Sequence, residues 1–291
     1  CSSYGDPHYK TFDGKEYDYQ GECEYVLVRS KDSNSHQFSI TTENIPCGTS
    51  GVTCTKSVTV SVGTGKKPIV ADRGSGFYVR TAGMFLFLAT EFGLSVQWDK
   101  GTRVYVKLDP MHKNQVEGLC GNYNEDQNDD FTMPNGIATQ DDNDFGDSWR
   151  RHDYCPKVRD FTQTVPFYVV LVMLSVLLSV MQKEGMGTAP VCHHQIPYQG
   201  YLDRCVFDAC GCDSGGDCEC LCTAVAAYAQ ACNFHGAYVS WRTQELCPLQ
   251  CEGCMRYAPC VSACPKTCTN YKHWDMVEEK CEETCVEGCD C

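Results

Sequence analysis

The sequence predicts a mainly β protein: an antiparallel β-sandwich followed by small disulfide-rich modules, one of them with short helices. Two observations carry this reading. Short β-prone runs separated by turn residues fill residues 22 to 108. Cysteine is distributed unevenly, with six of the 24 in the first 155 residues and eighteen between Cys192 and Cys291. The first predicted strands are Glu24-Tyr25-Val26-Leu27-Val28, Gln37-Phe38-Ser39-Ile40-Thr41 and Ser57-Val58-Thr59-Val60-Ser61-Val62. They continue with Met84 to Thr90, Leu94 to Trp98 and Arg103 to Leu108. Val58, Val60 and Val62 alternate with polar residues, as do Val104, Val106 and Leu108, and that period marks a half-buried antiparallel strand. Met84 to Leu88 is apolar on both faces and suits a central strand. Many short strands with Gly and Asn turns point to a sandwich or barrel. The later half has one clear helix signal, Thr223 to Ala231, rich in strong helix formers.

A thiol-rich, apolar-poor segment cannot bury enough carbon to fold by the hydrophobic effect alone. It needs cross-links, which persist only in an oxidising compartment. The protein is therefore expected to be secreted and extracellular. The bridge candidates of the β half are Cys1, Cys23, Cys47, Cys54, Cys120 and Cys155. The middle cluster holds Cys192, Cys205, Cys210, Cys212, Cys218, Cys220, Cys222, Cys232 and Cys247. The last holds Cys251, Cys254, Cys260, Cys264, Cys268, Cys281, Cys285, Cys289 and Cys291. The chain reads as a segment of a longer secreted protein, so partners beyond either end make cysteine parity weak evidence. A net charge of −14 argues against a nucleic-acid partner. No Asn-X-Ser/Thr glycan acceptor occurs in the segment.

Gly5-Asp6-Pro7-His8-Tyr9, Thr11-Phe12-Asp13-Gly14 and Gly21-Glu22-Cys23-Glu24-Tyr25-Val26-Leu27 resemble the start of a von Willebrand factor type D domain. Gly118-Leu119-Cys120-Gly121-Asn122-Tyr123-Asn124 and Phe145-Gly146-Asp147-Ser148-Trp149 resemble its end. The cluster to Cys247, with Trp241-Arg242-Thr243, is similar to the eight-cysteine module that follows such domains, and residues 251–291 to a trypsin-inhibitor-like module. Together they resemble the D assembly shared by von Willebrand factor, gel-forming mucins, otogelin, SCO-spondin and hemolectin. The expected division is a type D domain over 1–155, an anomalous apolar linker or insertion over 156–191, an eight-cysteine module lacking its first cysteine over 192–248, and a truncated trypsin-inhibitor-like module over 251–291.

Asn122, Asn124, Asp126, Asn128 and Asp130 place side-chain oxygens at every second position, with Asp129 alongside. Calcium takes six to eight hard oxygens of this kind. Gln127 and Met133 stand where an EF-hand loop has its Gly and bidentate Glu, so the loop is of another kind and needs ligands from elsewhere. The resemblance implies Asp13 as that remote ligand, with Asn122, Asn124, the carbonyl of Asp126, Asp129 and Asp130. A solvated acidic turn is the plainer alternative.

Asp6-Pro7 has two readings. Gly-Asp-Pro makes a tight turn, which the sequence favours. The Asp6 carboxyl can also attack its own peptide carbonyl and expel the proline nitrogen, with His8 as proton donor, and the resemblance implies such scission in some relatives. Cys251-Glu252-Gly253-Cys254 and Cys192 beside His193 and His194 are too continuous with other cysteines to favour zinc. Multimerising relatives often carry Cys-Gly-Leu-Cys where this chain has Glu117-Gly118-Leu119-Cys120, which weakens any role in inter-chain disulfide exchange. Cys120 is expected to bridge to Cys1 or Cys155.

Val165 to Met181 is long and apolar enough to span a bilayer. A spanning helix would leave one cysteine-rich side in a reducing compartment, where its bridges would not last. A buried segment and an insertion foreign to the module are the other readings, and the insertion is favoured because residues 161–190 contain no cysteine. An unpaired thiol is then expected in the eight-cysteine module. No Gly-x-Ser-x-Gly, phosphate loop or His-Glu-x-x-His occurs, so no enzyme is expected. The expected function is a calcium-binding structural or adhesive module whose partners are other copies or matrix and cell-surface proteins. The alternative is protease inhibition through residues 251–291.

Overall fold

The computed structural model describes residues 1–47, 52–63, 77–158, 192–211, 220–266, 281 and 285–291. Eleven strands build the first unit: β1 (Ser2–Tyr4), β2 (His8–Lys10), β3 (Glu16–Asp18), β4 (Glu24–Ser30), β5 (Phe38–Pro46), β6 (Thr53–Val62), β7 (Phe77–Ala82), β8 (Phe85–Thr90), β9 (Leu94–Trp98), β10 (Val104–Leu108) and β11 (Val116–Glu117). They form two antiparallel sheets, ordered β3-β2-β1-β10-β9-β8-β7 and β11-β4-β5-β6. The expected β-sandwich is what forms.

The core lies between the sheets. Val104 and Val106 of β10 and Leu94 and Val96 of β9 face Leu27, Phe38 and Ile40 of the opposing sheet. Each apolar side chain taken from water there contributes about 1.5–3 kcal/mol. Aromatic rings extend this core: Tyr9 stacks on Tyr17 at 5.1 Å, Tyr17 meets Phe131 edge-on at 4.9 Å, and Phe131 stacks on Phe145 at 4.4 Å. Phe145 lies on α1 (Asp142–Ser148), whose N-terminus is capped by the Asp141 side chain accepting from Asp144 N. The bridges Cys1–Cys120 and Cys23–Cys155 close loops of 119 and 132 residues. In a chain-entropy account each contributes about 5 kcal/mol. Glu117 forms a cross-strand ion pair with Arg29 at 2.7 Å.

The second unit comprises α2 (Cys192–Gln195), α3 (Gln199–Gly211) and α4 (Cys220–Phe234), with its own core around Leu202, Val225 and Trp241. Cys192–Cys232 and Cys222–Cys247 staple it. The helix expected over Thr223 to Ala231 is the middle of α4, while α3 carried no clear signal. The third unit is the hairpin β12 (Arg256–Ser262) and β13 (Cys285–Asp290), held by Cys251–Cys289, Cys260–Cys285 and Cys264–Cys281.

Among the described residues, three cysteines counted as bridge candidates are unpaired. Cys205 is buried on α3 with no partner, and the preceding residues 161–190 supply no thiol. Cys254 and Cys291 are exposed with their sulfurs 3.3 Å apart, beyond covalent length. Cys212, Cys218, Cys268 and the apolar run Val165–Met181 lie outside the described residues. Among the described residues no helix is long and apolar enough to cross a membrane.

β8 pairs with β9 on one side and β7 on the other, as a central strand does, and both its faces are covered. Leu88 packs against the sandwich core, while Phe85 and Phe87 pack with Tyr105 against Val261 and Val286 of the third unit. Glu287 of β13 anchors this contact. Its carboxylate accepts from Arg242 Nε of the second unit at 2.7 Å and from Tyr257 Oη at 3.0 Å, and lies 4.0 Å from Arg103, just before β10. Arg103 is 2% exposed and pairs with Asp99 at 2.7 Å. Beside it, Gly83 (φ +54°) and Gly288 touch backbone to backbone, so a Cβ on either collides with the other strand.

Two outcomes follow from this packing. Glu287→Ala strands Arg242 without its buried carboxylate and should cost about 3–5 kcal/mol, read from denaturant unfolding midpoints. A maleimide should leave Cys205 unmodified in the folded chain and alkylate it only on unfolding, as peptide masses will report.

Candidate functional site: an acidic loop and a buried Asp-His cluster

The residues expected to bind calcium converge. Asp13 sits in a turn closed by Thr11 N to Lys15 O (2.9 Å) and Lys15 N to Thr11 Oγ1 (2.9 Å). From there its carboxylate accepts the backbone N–H groups of Asn124 (2.9 Å) and Glu125 (2.8 Å). Asn122 and Asn124 donate their amides to the two oxygens of Asp129 at 2.9 and 2.8 Å. Asp130 is buried and accepts from Thr11 Oγ1 at 2.6 Å. Burial, with the Asp13 charge adding, pushes its carboxyl up to about 6. Asn122 Oδ1 is buried with no hydrogen-bond partner. Gly121 (φ +78°) leaves room for the Asp130 carboxylate, which a Cβ would overlap. An orphaned amide oxygen in a loop rich in carboxylates fits a hard divalent cation, which would supply the missing positive charge. Asp126 and Asn128 face outward, where Asn128 donates to the Asp126 carboxylate, leaving only the Asp126 backbone carbonyl for such a role.

The second cluster surrounds Asp6. Residues 5–7 form the turn between β1 and β2, and all of Gly5 to Tyr9 is buried. His8 Nδ1 lies 2.7 Å from Asp18 of β3, and Nε2 lies 2.5 Å from Asp208 of α3. Burial disfavours the charged imidazole, but Asp208 and Asp18 outweigh it and raise His8 to about 9. Both ring nitrogens therefore carry protons, and each is taken by a carboxylate. Arg204, one turn before Asp208, pairs with Glu16 at 2.8 Å and Asp18 at 3.2 Å. Asp6 is 1% exposed, and burial together with the Asp208 charge raises its carboxyl to about 8. Its Oδ2 has no partner. The Asp6 carbonyl accepts from Gln20 Nε2 at 2.6 Å, and Thr53 N donates to Gln20 Oε1 at 3.1 Å, which fixes the orientation of that amide. Asp6 also lies beside Cys47 and Cys54, but those sulfurs are joined in a disulfide and offer no thiolate to a metal.

A von Willebrand factor type D domain model matches residues 1–81 and 66–137, and a C8 domain model matches residues 180–248. SCO-spondin of Gallus gallus is 42% identical over 100% of the chain. Hemocytin of Bombyx mori is 41% identical and Mucin-5AC of Homo sapiens 38% identical, each over 99% of it. The chain belongs to the von Willebrand factor type D domain family. It spans 6%, 10% and 5% of these three relatives respectively.

Within this type D chain, Asp13, Asn122, Asn124, Asp129 and Asp130 come together as expected from the sequence. Sequence reasoning missed Thr11, although it lies two residues before Asp13 in the same motif. It also missed Gln20, Asp18 and Asp208. Asp208 is 200 positions from His8, and no local pattern links them.

The Asp6 cluster sets a pH dependence. Asp6 and His8 each hold a proton more tightly in the folded chain than in the unfolded one. The stability they contribute is fully present below their ordinary values of 3.8 and 6.5, falls as pH rises from there, and is gone once pH has passed about 8 for Asp6 and about 9 for His8. Denaturation midpoints should fall over that window, and Asp6→Asn should remove part of the slope.

Proposed function

We propose that this chain is an extracellular, calcium-binding structural module of a larger secreted protein, serving assembly or adhesion rather than catalysis. The observation that carries the reading is the buried, partnerless Asn122 Oδ1 in a loop that the Asp13 carboxylate grips from more than 100 residues away. Calcium there would tie the Asp13 turn to the 122–130 loop and stiffen the end of the sandwich. The relatives' names, SCO-spondin, hemocytin and mucin, support a role in a matrix, clot or gel built from repeated modules. Other copies of the protein or matrix and cell-surface proteins are the proposed partners. Protease inhibition through residues 251–291 remains the alternative function, and residues 267–280 of that module lie outside the described part.

Calcium at a hundredfold its dissociation constant should stabilise the chain by about 2.7 kcal/mol, read as a rise in thermal midpoint reversed by chelator. Asp13→Ala and Asp130→Ala should abolish the calcium response. A wild-type midpoint indifferent to both calcium and chelator would overturn the reading.

One observation favours a second property, scission at Asp6-Pro7. The Gln20 amide already donates to the carbonyl that an attack would turn into an oxyanion. In that reaction an Asp6 carboxylate oxygen bonds to the Asp6 carbonyl carbon and closes a cyclic anhydride. The bond to Pro7 breaks and the proline nitrogen leaves with a proton from imidazolium. Water then opens the anhydride to two carboxyl groups.

A further inference from the structure

We propose that Asp208 of the second unit is a positioning residue that holds the Asp6–Pro7 bond uncleaved by occupying His8. The inference rests on the scission reading above and adds a control to it that comes from another module.

Scission needs an ionised Asp6 carboxylate, a proton for the Pro7 nitrogen and a stabilised oxyanion. Only the last is present in the docked arrangement, through Gln20. The proton is withheld by geometry. His8 Nδ1 is engaged by Asp18 and Nε2 by Asp208, so neither N–H is free to reach the leaving nitrogen. His8 and Asp208 are fully buried, and Pro7 is buried with them, so solvent does not replace the missing donor. The nucleophile is withheld as well. Asp208 approaches the turn so closely that a Cβ on Gly5 would overlap its Oδ2, which places a carboxylate against the segment that would have to ionise. Burial and that charge keep Asp6 protonated.

The hold is specific to one helix. α3 approaches β1, β2 and β3 with three anchors. Asp208 grips His8, Arg204 pairs with Glu16 and Asp18, and Tyr201 stacks on Tyr4 at 6.1 Å. Withdrawal of α3 frees Nε2–H, admits water to Pro7 and removes the charge opposing ionisation of Asp6. All three changes act in the same direction. Of the charged groups around His8, Asp18 and Asp6 stay with the first unit, and only Asp208 and Arg204 leave with α3.

The test follows the appearance of a Pro7 amino terminus by peptide mass after reduction, in the full 291-residue chain, with a small primary amine added to trap the Asp6 anhydride. Asp208→Ala should cleave about a hundredfold faster than wild type, the scale of a positioned acid made available. Asp208→Asn, which keeps the shape and an oxygen acceptor, should fall between them and serves as the comparison where Asp208→Ala does not fold. His8→Ala added to Asp208→Ala should return the rate to the wild-type level, which a general loosening of the interface would not do. Equal or slower cleavage in both Asp208 variants overturns the hold while leaving scission standing. Absence of a Pro7 terminus in every chain, wild type included, overturns both.

Discussion

A sheet that is apolar on both faces has to be covered twice, and this requirement organises the chain. The inner face of the seven-stranded sheet is filled by the four-stranded sheet. Its outer face presents Phe85, Phe87 and Tyr105, which water would otherwise meet. The second and third units are too small and too rich in sulfur to supply a large core alone. They share the outer face instead: Phe234 of α4 meets Tyr105 edge-on at 5.7 Å, and Val261 and Val286 close over the phenylalanines. The disulfides shape the small modules, and the sheet gives them an apolar floor.

Polar contacts set the register of that docking. Glu287 collects Arg242 and Tyr257 and lies beside Arg103, and Asn233 Nδ2 donates to Pro259 O at 2.9 Å between the second and third units. Buried ion pairs add little net stability against apolar replacements, but losing one partner is costly. The three units are thus held in one arrangement by groups that tolerate no partial loss.

Much of this was legible in the sequence, for stated reasons. Val58 to Val62 of β6 and Leu94 to Trp98 of β9 alternate apolar with polar residues because one face of each meets the core. β1, β2 and β3 were missed because they are three residues long and bury polar groups such as Ser3 and His8 in place of an apolar stripe. α3 was missed because Arg204 and Asp208 serve contacts with the first unit and break any simple helical pattern. β8 was legible as a central strand because it is apolar on both faces, one meeting the sandwich core and the other a second covering module. The acidic loop was legible because its oxygens are close in sequence. The Asp6 cluster was only half visible: Gly-Asp-Pro-His stands out, but Asp208 belongs to another unit.

The Gly83–Gly288 contact carries a consequence for chimeras. Two chain segments from different modules meet there with no side chain between them, so neither module is interchangeable on its own. A third module grafted from a relative would dock on this sandwich only if it brought a glycine opposite Gly83, however well its cysteines matched. Compatibility between such parts is decided at a backbone seam a few ångströms wide rather than by their cysteine frameworks.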